Sequence, residues 1–203
     1  MMIKLNRMLK RPTLYIITSV LALGLPVLLH TVSAGRADPG ILQPEDLPAG
    51  AIVMTPGFPS SDKIGHPLSS ESTSSLRAQL SSEEQSLLSG YKAMRRFAAL
   101  LPTQGVVVMN FAYEYATATE AEQAAQVLQA HIRGAATLLQ VKDFKETKGL
   151  RGHEFLLQGD EGDSVCWFVG SRDKRLVLLM VNGMEQSSVL SVFEMMVQKL
   201  MNK

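Results

Sequence analysis

The alternation of apolar and polar positions indicates where this chain forms strands. The clearest stretch is 106–116, where large apolar side chains occupy every second position and smaller or polar residues lie between them. At 91–100 the spacing fits a helix as well as a strand, and a strand pairs better with the stretch that follows. Apolar runs bounded by turn-forming residues predict four further strands: 141–146, 151–158, 164–170 and 175–182. The last two are apolar on both faces, which predicts that they are buried on both sides.

Helical spacing occurs in three places. Ser81 and Thr119 each stand three residues before a glutamate, the arrangement of a capping box that opens a helix. The second helix runs to about Gly134 and repeats apolar residues at the i, i+3, i+4 spacing of one face. A last helix covers about 186–200. We expect Phe193 on this helix and Trp167 on the strand at 164–170 to be buried. The order of elements predicts an α+β domain with an antiparallel sheet of about five to six strands packed against helices.

The first 34 residues predict export. Four basic residues and no acid precede an apolar run from Leu14 to Val32, and Val32-Ser33-Ala34 supplies the small residues that a signal peptidase requires. Cleavage after Ala34 is the preferred interpretation. The run is about 19 residues long, close to the ~20 that span a bilayer, so an uncleaved anchor over residues 12–34 is the alternative.

Residues 35–80 show neither the alternation of a strand nor the spacing of a helix. Within them, the stretch 56–75 has 13 Ser, Thr, Pro or Gly residues among 20 positions. Such a composition buries too little apolar surface to offset the entropy of ordering it. The sequence therefore predicts three parts: a signal peptide or anchor at 1–34, an irregular linker at 35–80, and a single α+β domain at 81–203.

Charge and cysteine content limit the kinds of partner and the cellular compartment that we expect. The chain has 20 basic and 19 acidic residues, and removal of the leader leaves 16 basic against 19 acidic. A nearly neutral domain is not expected to bind nucleic acid. Cys166 is the only cysteine, so no internal disulfide forms, as is ordinary in the bacterial envelope. We expect an exported domain that is periplasmic, extracellular or membrane-anchored.

No local motif predicts catalysis, a cofactor or a metal. The sequence has no P-loop, no dinucleotide-binding glycine motif and no nucleophile elbow, and its histidines lack the spacing of a zinc site. Cys166 lies between Val165 and Trp167 in an apolar strand, which is typical of a core thiol rather than a nucleophile. The acidic turn at 159–163 is too short for an EF-hand and is better explained as a solvated hairpin tip. A hydrolase would have to assemble its site from distant residues such as His153, Glu114 and Asp163.

One row of side chains is the candidate binding site. Val107, Met109, Phe111, Tyr113 and Tyr115 point to the same side of their strand. Packing beneath the second helix is the preferred explanation. The alternative is an apolar cleft in which Met109, Phe111, Tyr113 and Tyr115 contact a ligand or partner, because methionine and tyrosine are common at binding surfaces. In that case we expect the mouth of the cleft at Tyr113 and Tyr115.

The order of elements resembles that of PsbP-like exported domains and of small bacterial envelope lipoprotein domains. The resemblance lies in the helix at Thr119 between sheet segments and in the terminal helix after the strand at 177–181, and it covers residues 83–201. It implies binding or assembly rather than catalysis. The sequence thus predicts an exported, non-catalytic envelope domain that binds a protein partner or an apolar small molecule. The alternatives are the hydrolase and a sensor domain tethered to the membrane.

Overall fold

A computed structural model describes residues 40–55, 80–135, 137–159 and 162–203. The leader at 1–34 and the Ser-rich stretch at 56–75 lie outside these residues. The described part forms seven strands and three α-helices. The strands are β1 (Ile52–Thr55), β2 (Ala93–Leu101), β3 (Val106–Glu114), β4 (Leu138–Thr147), β5 (Leu150–Gln158), β6 (Ser164–Arg172) and β7 (Arg175–Gly183). The helices are α1 (Ser82–Ser89), α2 (Ala118–Arg133) and α3 (Gln186–Asn202).

All seven strands lie in one sheet, in the order β1-β2-β3-β7-β6-β5-β4. Every neighbouring pair is antiparallel. The pairing of β3 with β7 brings the last strand into the middle of the sheet. The α+β class is confirmed, and the sheet is larger than the five to six strands predicted. The additional strand is β1, which is only four residues long and therefore too short to show alternation.

Helices cover both faces of the sheet. On one face α3 packs over side chains of β3, β6 and β7, and its buried residues include Val189, Phe193 and Met196. On the other face α2 lies across β6 and β7, with α1 packed against it. Because successive residues of a strand point to opposite faces, the central strands are apolar on both sides. Within the described residues, no helix has the length and apolar character needed to cross a bilayer.

Residues 40–55 belong to the folded domain and not to the linker predicted at 35–80. Ile41 and Leu42 are buried in the core beneath α3. Gly40 adopts a φ of +89°, and a Cβ at this position would lie 2.9 Å from a methyl group of Val177. The conformation and the close approach both require glycine. The composition of this segment is irregular, yet Ile41 and Leu42 contribute to the core of the domain.

The N-terminus of α2 lies two residues earlier than the sequence predicted. The Oγ1 of Thr117 accepts a hydrogen bond from the Glu120 amide at 3.1 Å, and the Thr117 amide donates to the Glu120 carboxylate at 3.2 Å. Thr117 and Thr119 both precede a glutamate by three residues, so the motif alone does not choose between them. The helix predicted from Ser81 does begin there, since Ser81 and Glu84 form the reciprocal pair.

Candidate functional site

The two tyrosines of the candidate row are enclosed. Tyr113 and Tyr115 are each 2% exposed, and the Tyr115 hydroxyl donates to the Leu88 carbonyl at 3.2 Å. The ring of Tyr91 contacts Tyr113 edge-on, with centroids 5.1 Å apart. Burial is the main cause that raises the pKa of both buried tyrosines above the ordinary range. The open cleft mouth predicted at Tyr113 and Tyr115 is therefore wrong.

Both α1 and α2 cover Tyr113 and Tyr115. Leu80, which precedes the N-cap of α1, and Leu88 in its last turn belong to the same buried cluster as the two tyrosines. A contact of 3.5 Å between His131 Nε2 on α2 and Glu84 Oε1 on α1 lies at the junction of the two helices. The sequence identified α2 as the cover for this row and did not indicate where α1 would pack.

The opposite end of the row is open. Val107 and Met109 are half-buried, and Phe111 is half-buried between them and the enclosed tyrosines. The neighbouring strands continue the same surface, because Leu100 pairs with Val107 and Met180 pairs with Met109. Trp167 of β6 stands beside Met180 and is also half-buried.

We call this surface the open face and define it by five residues on the α2 side of the sheet: Leu100, Val107, Met109, Trp167 and Met180. Of the five, only Trp167 packs against the core cluster beneath α1 and α2, as far as the described chain shows. The open face crosses four adjacent strands, β2, β3, β7 and β6. Half-buried Arg96 and Asn182 border it. An apolar centre with polar residues at its margin is the usual composition of a binding surface.

The sequence pattern identified only part of the open face. Met109 is among the residues predicted to bind, whereas Met180 and Trp167 were assigned to strands buried on both sides. Both lie in continuous apolar runs, and such runs do not show which side chains a helix will cover. Trp167, predicted to be buried, is half-buried.

The residues of the alternative hydrolase do not converge. Glu114 ends β3 and His153 lies on β5, with β7 and β6 between them, which separates the strands by roughly 14 Å. Val169, the ladder partner of His153, follows Asp163 by six residues, or about 20 Å of strand. His153 instead contacts Asp143 at 3.1 Å, and the Asp143 side chain is exposed.

The structure also bears on two other candidates from the sequence, a reactive thiol at Cys166 and a metal site. Cys166 is buried, and burial is the largest cause that raises the pKa of its thiol to about 12. A buried, protonated thiol is not a nucleophile at neutral pH, so Cys166 is a core residue. For metals, no group of three His, Cys, Asp or Glu side chains in the described ranges is arranged to hold an ion. Asp160 and Glu161 of the acidic turn lie outside those ranges.

Comparisons with known proteins do not assign this chain to a family. No family model matches the chain. No curated protein matches it either. Among solved structures, the chain is similar to the extracellular domain of PknH from Mycobacterium tuberculosis, with a TM-score of 0.40 and 14% sequence identity over 63% of this chain and 75% of that chain. We infer neither fold nor function from a likeness of this size.

Proposed function

We propose that this protein is an exported, non-catalytic domain of the cell envelope that binds a protein partner or an apolar ligand through the open face. The observation that carries the proposal is the half-exposure of large apolar side chains on adjacent strands, next to rows that α1 and α2 bury completely. Exposed apolar surface costs about 25 cal/mol per Å², so covering it with a partner is favourable.

The extent and composition of the open face favour a protein partner. The surface extends over four adjacent strands, and such a breadth suits a protein interface better than the concave pocket that holds most small molecules. Methionines at the centre of the surface adapt to an irregular partner, and tryptophan is frequent among the residues that dominate binding energy. Arg96 and Asn182 at the margin supply polar contacts.

Export is supported by the N-terminal sequence and by the start of the folded domain. Only five residues, 35–39, separate the predicted cleavage site after Ala34 from Gly40, which lies against Val177 of the sheet. Cleavage after Ala34 would therefore leave a mature chain that retains the whole docked segment.

Site-specific crosslinking tests the binding surface. Benzoylphenylalanine is placed at Met109 on the open face, and in a matched variant at exposed Lys142, whose strand position faces the α3 side of the sheet. After irradiation of intact cells, we expect a single crosslinked protein from position 109 and none from position 142. The substitution Met180→Glu, beside Met109, should abolish the crosslink because it places a charge in the centre of the contact.

The same variants separate the two kinds of partner. An apolar compound that copurifies with the wild-type domain, and is lost with Met180→Glu, would identify a ligand instead of a protein. Equal crosslinking from positions 109 and 142, with no copurifying compound, would contradict the proposal.

A further inference from the structure

Arg172, the last residue of β6, is a buried cation. Its side chain is 4% exposed and lies on the α3 side of the sheet, opposite the open face. One nitrogen of the guanidinium donates to the Leu200 carbonyl in the last turn of α3, at 3.3 Å. Burial lowers the pKa of Arg172, with nearby Asp173 acting in the other direction.

One donor of Arg172 is buried without a hydrogen-bond partner in the described part of the chain. A guanidinium has five N–H donors, and the Nε of Arg172 has no partner among the described residues. No described carboxylate forms an ion pair with it. The carbonyl end of α3 carries only a partial negative charge, which does not replace a full counterion.

Two cations and two carboxylates surround Arg172, namely Lys174 and Arg175 with Asp173 and Glu114, so the charge of Arg172 itself leaves the group with a net positive charge. Arg175 is the direct partner of Arg172 across the β6–β7 hairpin, and Lys174 lies in the turn between the two strands. Like charges directly opposite each other on a sheet repel. Glu114 is the direct ladder partner of Arg175, 3.9 Å from its guanidinium, and serves as the counterion of Arg175 and not of Arg172.

These side chains surround a depression of about 300 Å³, lined by Glu114, Arg172, Asp173, Lys174 and Arg175. We propose that this depression binds an oxyanion, a phosphate or carboxylate group, through the guanidinium of Arg172 assisted by Lys174 and Arg175. Planar guanidinium groups match both anions with paired N–H···O bonds. The bound group would accept hydrogen bonds from the terminal N–H groups of Arg172 and relieve its repulsion from Arg175. This site does not depend on the open face.

Nuclear magnetic resonance tests the site without any substitution. The full chain lacking its leader, labelled with ¹⁵N, is titrated with inorganic phosphate while potassium chloride is lowered to keep ionic strength constant. We expect a saturable shift of the Arg172 Nε–H resonance. The resonance of Arg151, a half-exposed arginine on β5 paired with Glu122, serves as the internal control and should not saturate.

Three variants then assign the binding to this site. Arg172→Gln should raise the dissociation constant for phosphate at least about tenfold, and Lys174→Gln by a few-fold, since a charged hydrogen bond is stronger than a nearby charge. Arg151→Gln should leave it unchanged. If Arg172→Gln fails to fold, the Lys174→Gln comparison and the Nε titration of the wild type still decide the question.

Two further probes identify the source of the oxyanion. Acetate replaces phosphate in one titration, and vesicles of phosphatidylglycerol replace it in another, with phosphatidylcholine vesicles as the neutral control. Binding of free phosphate or acetate indicates a soluble ligand, whereas binding of anionic vesicles alone indicates a lipid headgroup. No saturable shift with any probe, or equal affinity in Arg172→Gln, would overturn the proposal and leave Arg172 as a cap for α3.

Discussion

The side chain of Asn110 holds the backbone of Leu42, 68 positions earlier in the chain. Its Oδ1 accepts a hydrogen bond from the Leu42 amide at 2.6 Å, and its Nδ2 donates to the carbonyls of Gly40 and Leu178, at 3.3 and 2.8 Å. Asn110 is 0% exposed at the centre of β3. A buried amide in an apolar strand is costly unless it is fully paired, and here the first described segment of the chain provides two of its three partners.

We therefore expect Asn110→Leu to destabilise the domain through this segment. The Leu42 amide loses its acceptor while the surrounding core stays closed, which should lower the free energy of unfolding by about 2–3 kcal/mol. Urea denaturation of the leaderless domain measures the change. The matched control is Asn182→Leu, a half-buried asparagine on adjacent β7, for which we expect less than about 0.5 kcal/mol. An equal decrease in the free energy of unfolding in both variants would show that the hydrogen bond to Leu42 does not stabilise the domain.

The two large aromatic residues that the sequence predicted to be buried should now behave differently. Phe193 lies on the buried face of α3, so Phe193→Ala should cost about 3–5 kcal/mol of unfolding free energy. Trp167 is half-buried on the open face, and truncating it should cost about 1–2 kcal/mol because solvent already reaches part of the ring. Thermal denaturation of the two variants side by side provides the measurement, and a larger loss from Trp167→Ala would contradict the structure.

How much of this fold follows from the sequence depends on how far each pattern extends. Alternation over nine residues identified β3, and apolar runs bounded by turn-forming residues identified β4, β5, β6 and β7. Neither pattern could identify β1, because four residues beside a Pro-rich stretch give too few repeats. The alternation also assigned Tyr113 and Met109 correctly to one side of β3. Which end of that row is covered depends on the packing of α1, which is a tertiary contact without a local pattern.

Tyr115 provides a direct test of which end of the row is covered. With the mouth of a cleft at Tyr115, Tyr115→Ala would leave folding nearly intact. In the structure its ring is enclosed and its hydroxyl is bonded to Leu88, so we expect a loss of about 3–5 kcal/mol. Tyr115→Phe, which removes only the hydroxyl, should cost about 1 kcal/mol.

Met109→Ala on the same row serves as the control for Tyr115. Its side chain is half-buried, and we expect a loss of about 1 kcal/mol. Urea denaturation ranks the three variants. If the Tyr115→Ala domain is as stable as the Met109→Ala domain, Tyr115 is not enclosed and the tyrosine end of the row is open.

Cys166 should make stability depend on alkaline pH. Burial, followed by the charges of Glu154 and Glu194, raises the pKa of its thiol from 9.0 to about 12. Since the folded-state pKa is the higher one, this contribution is complete below the unfolded pKa. It is lost as the pH rises from about 9 towards 12, by about 1.4 kcal/mol per pH unit.

Cys166→Ala isolates the contribution of the thiol, because the buried tyrosines titrate in both proteins. Urea denaturation between about pH 8 and about pH 10.5 should show a steeper fall in stability for the wild type than for Cys166→Ala. Parallel curves would mean that the thiol titrates equally in the folded and unfolded chains. As an independent check, a thiol reagent should modify native Cys166 far more slowly than the urea-unfolded protein.

The N-terminus of the protein in its host decides between a cleaved leader and an anchor. The sequence places cleavage after Ala34, and the docked segment at Gly40 and Leu42 leaves residues 35–39 as the connection between the two. Mass spectrometry of protein purified from the envelope should therefore give a chain that begins at Gly35. Replacing Ala34 by Arg, which a signal peptidase does not accept, should retain the leader and shift the protein to the membrane fraction. Full-length wild-type protein in the membrane would establish the anchor instead, and full-length protein in the cytosol would exclude export in either form.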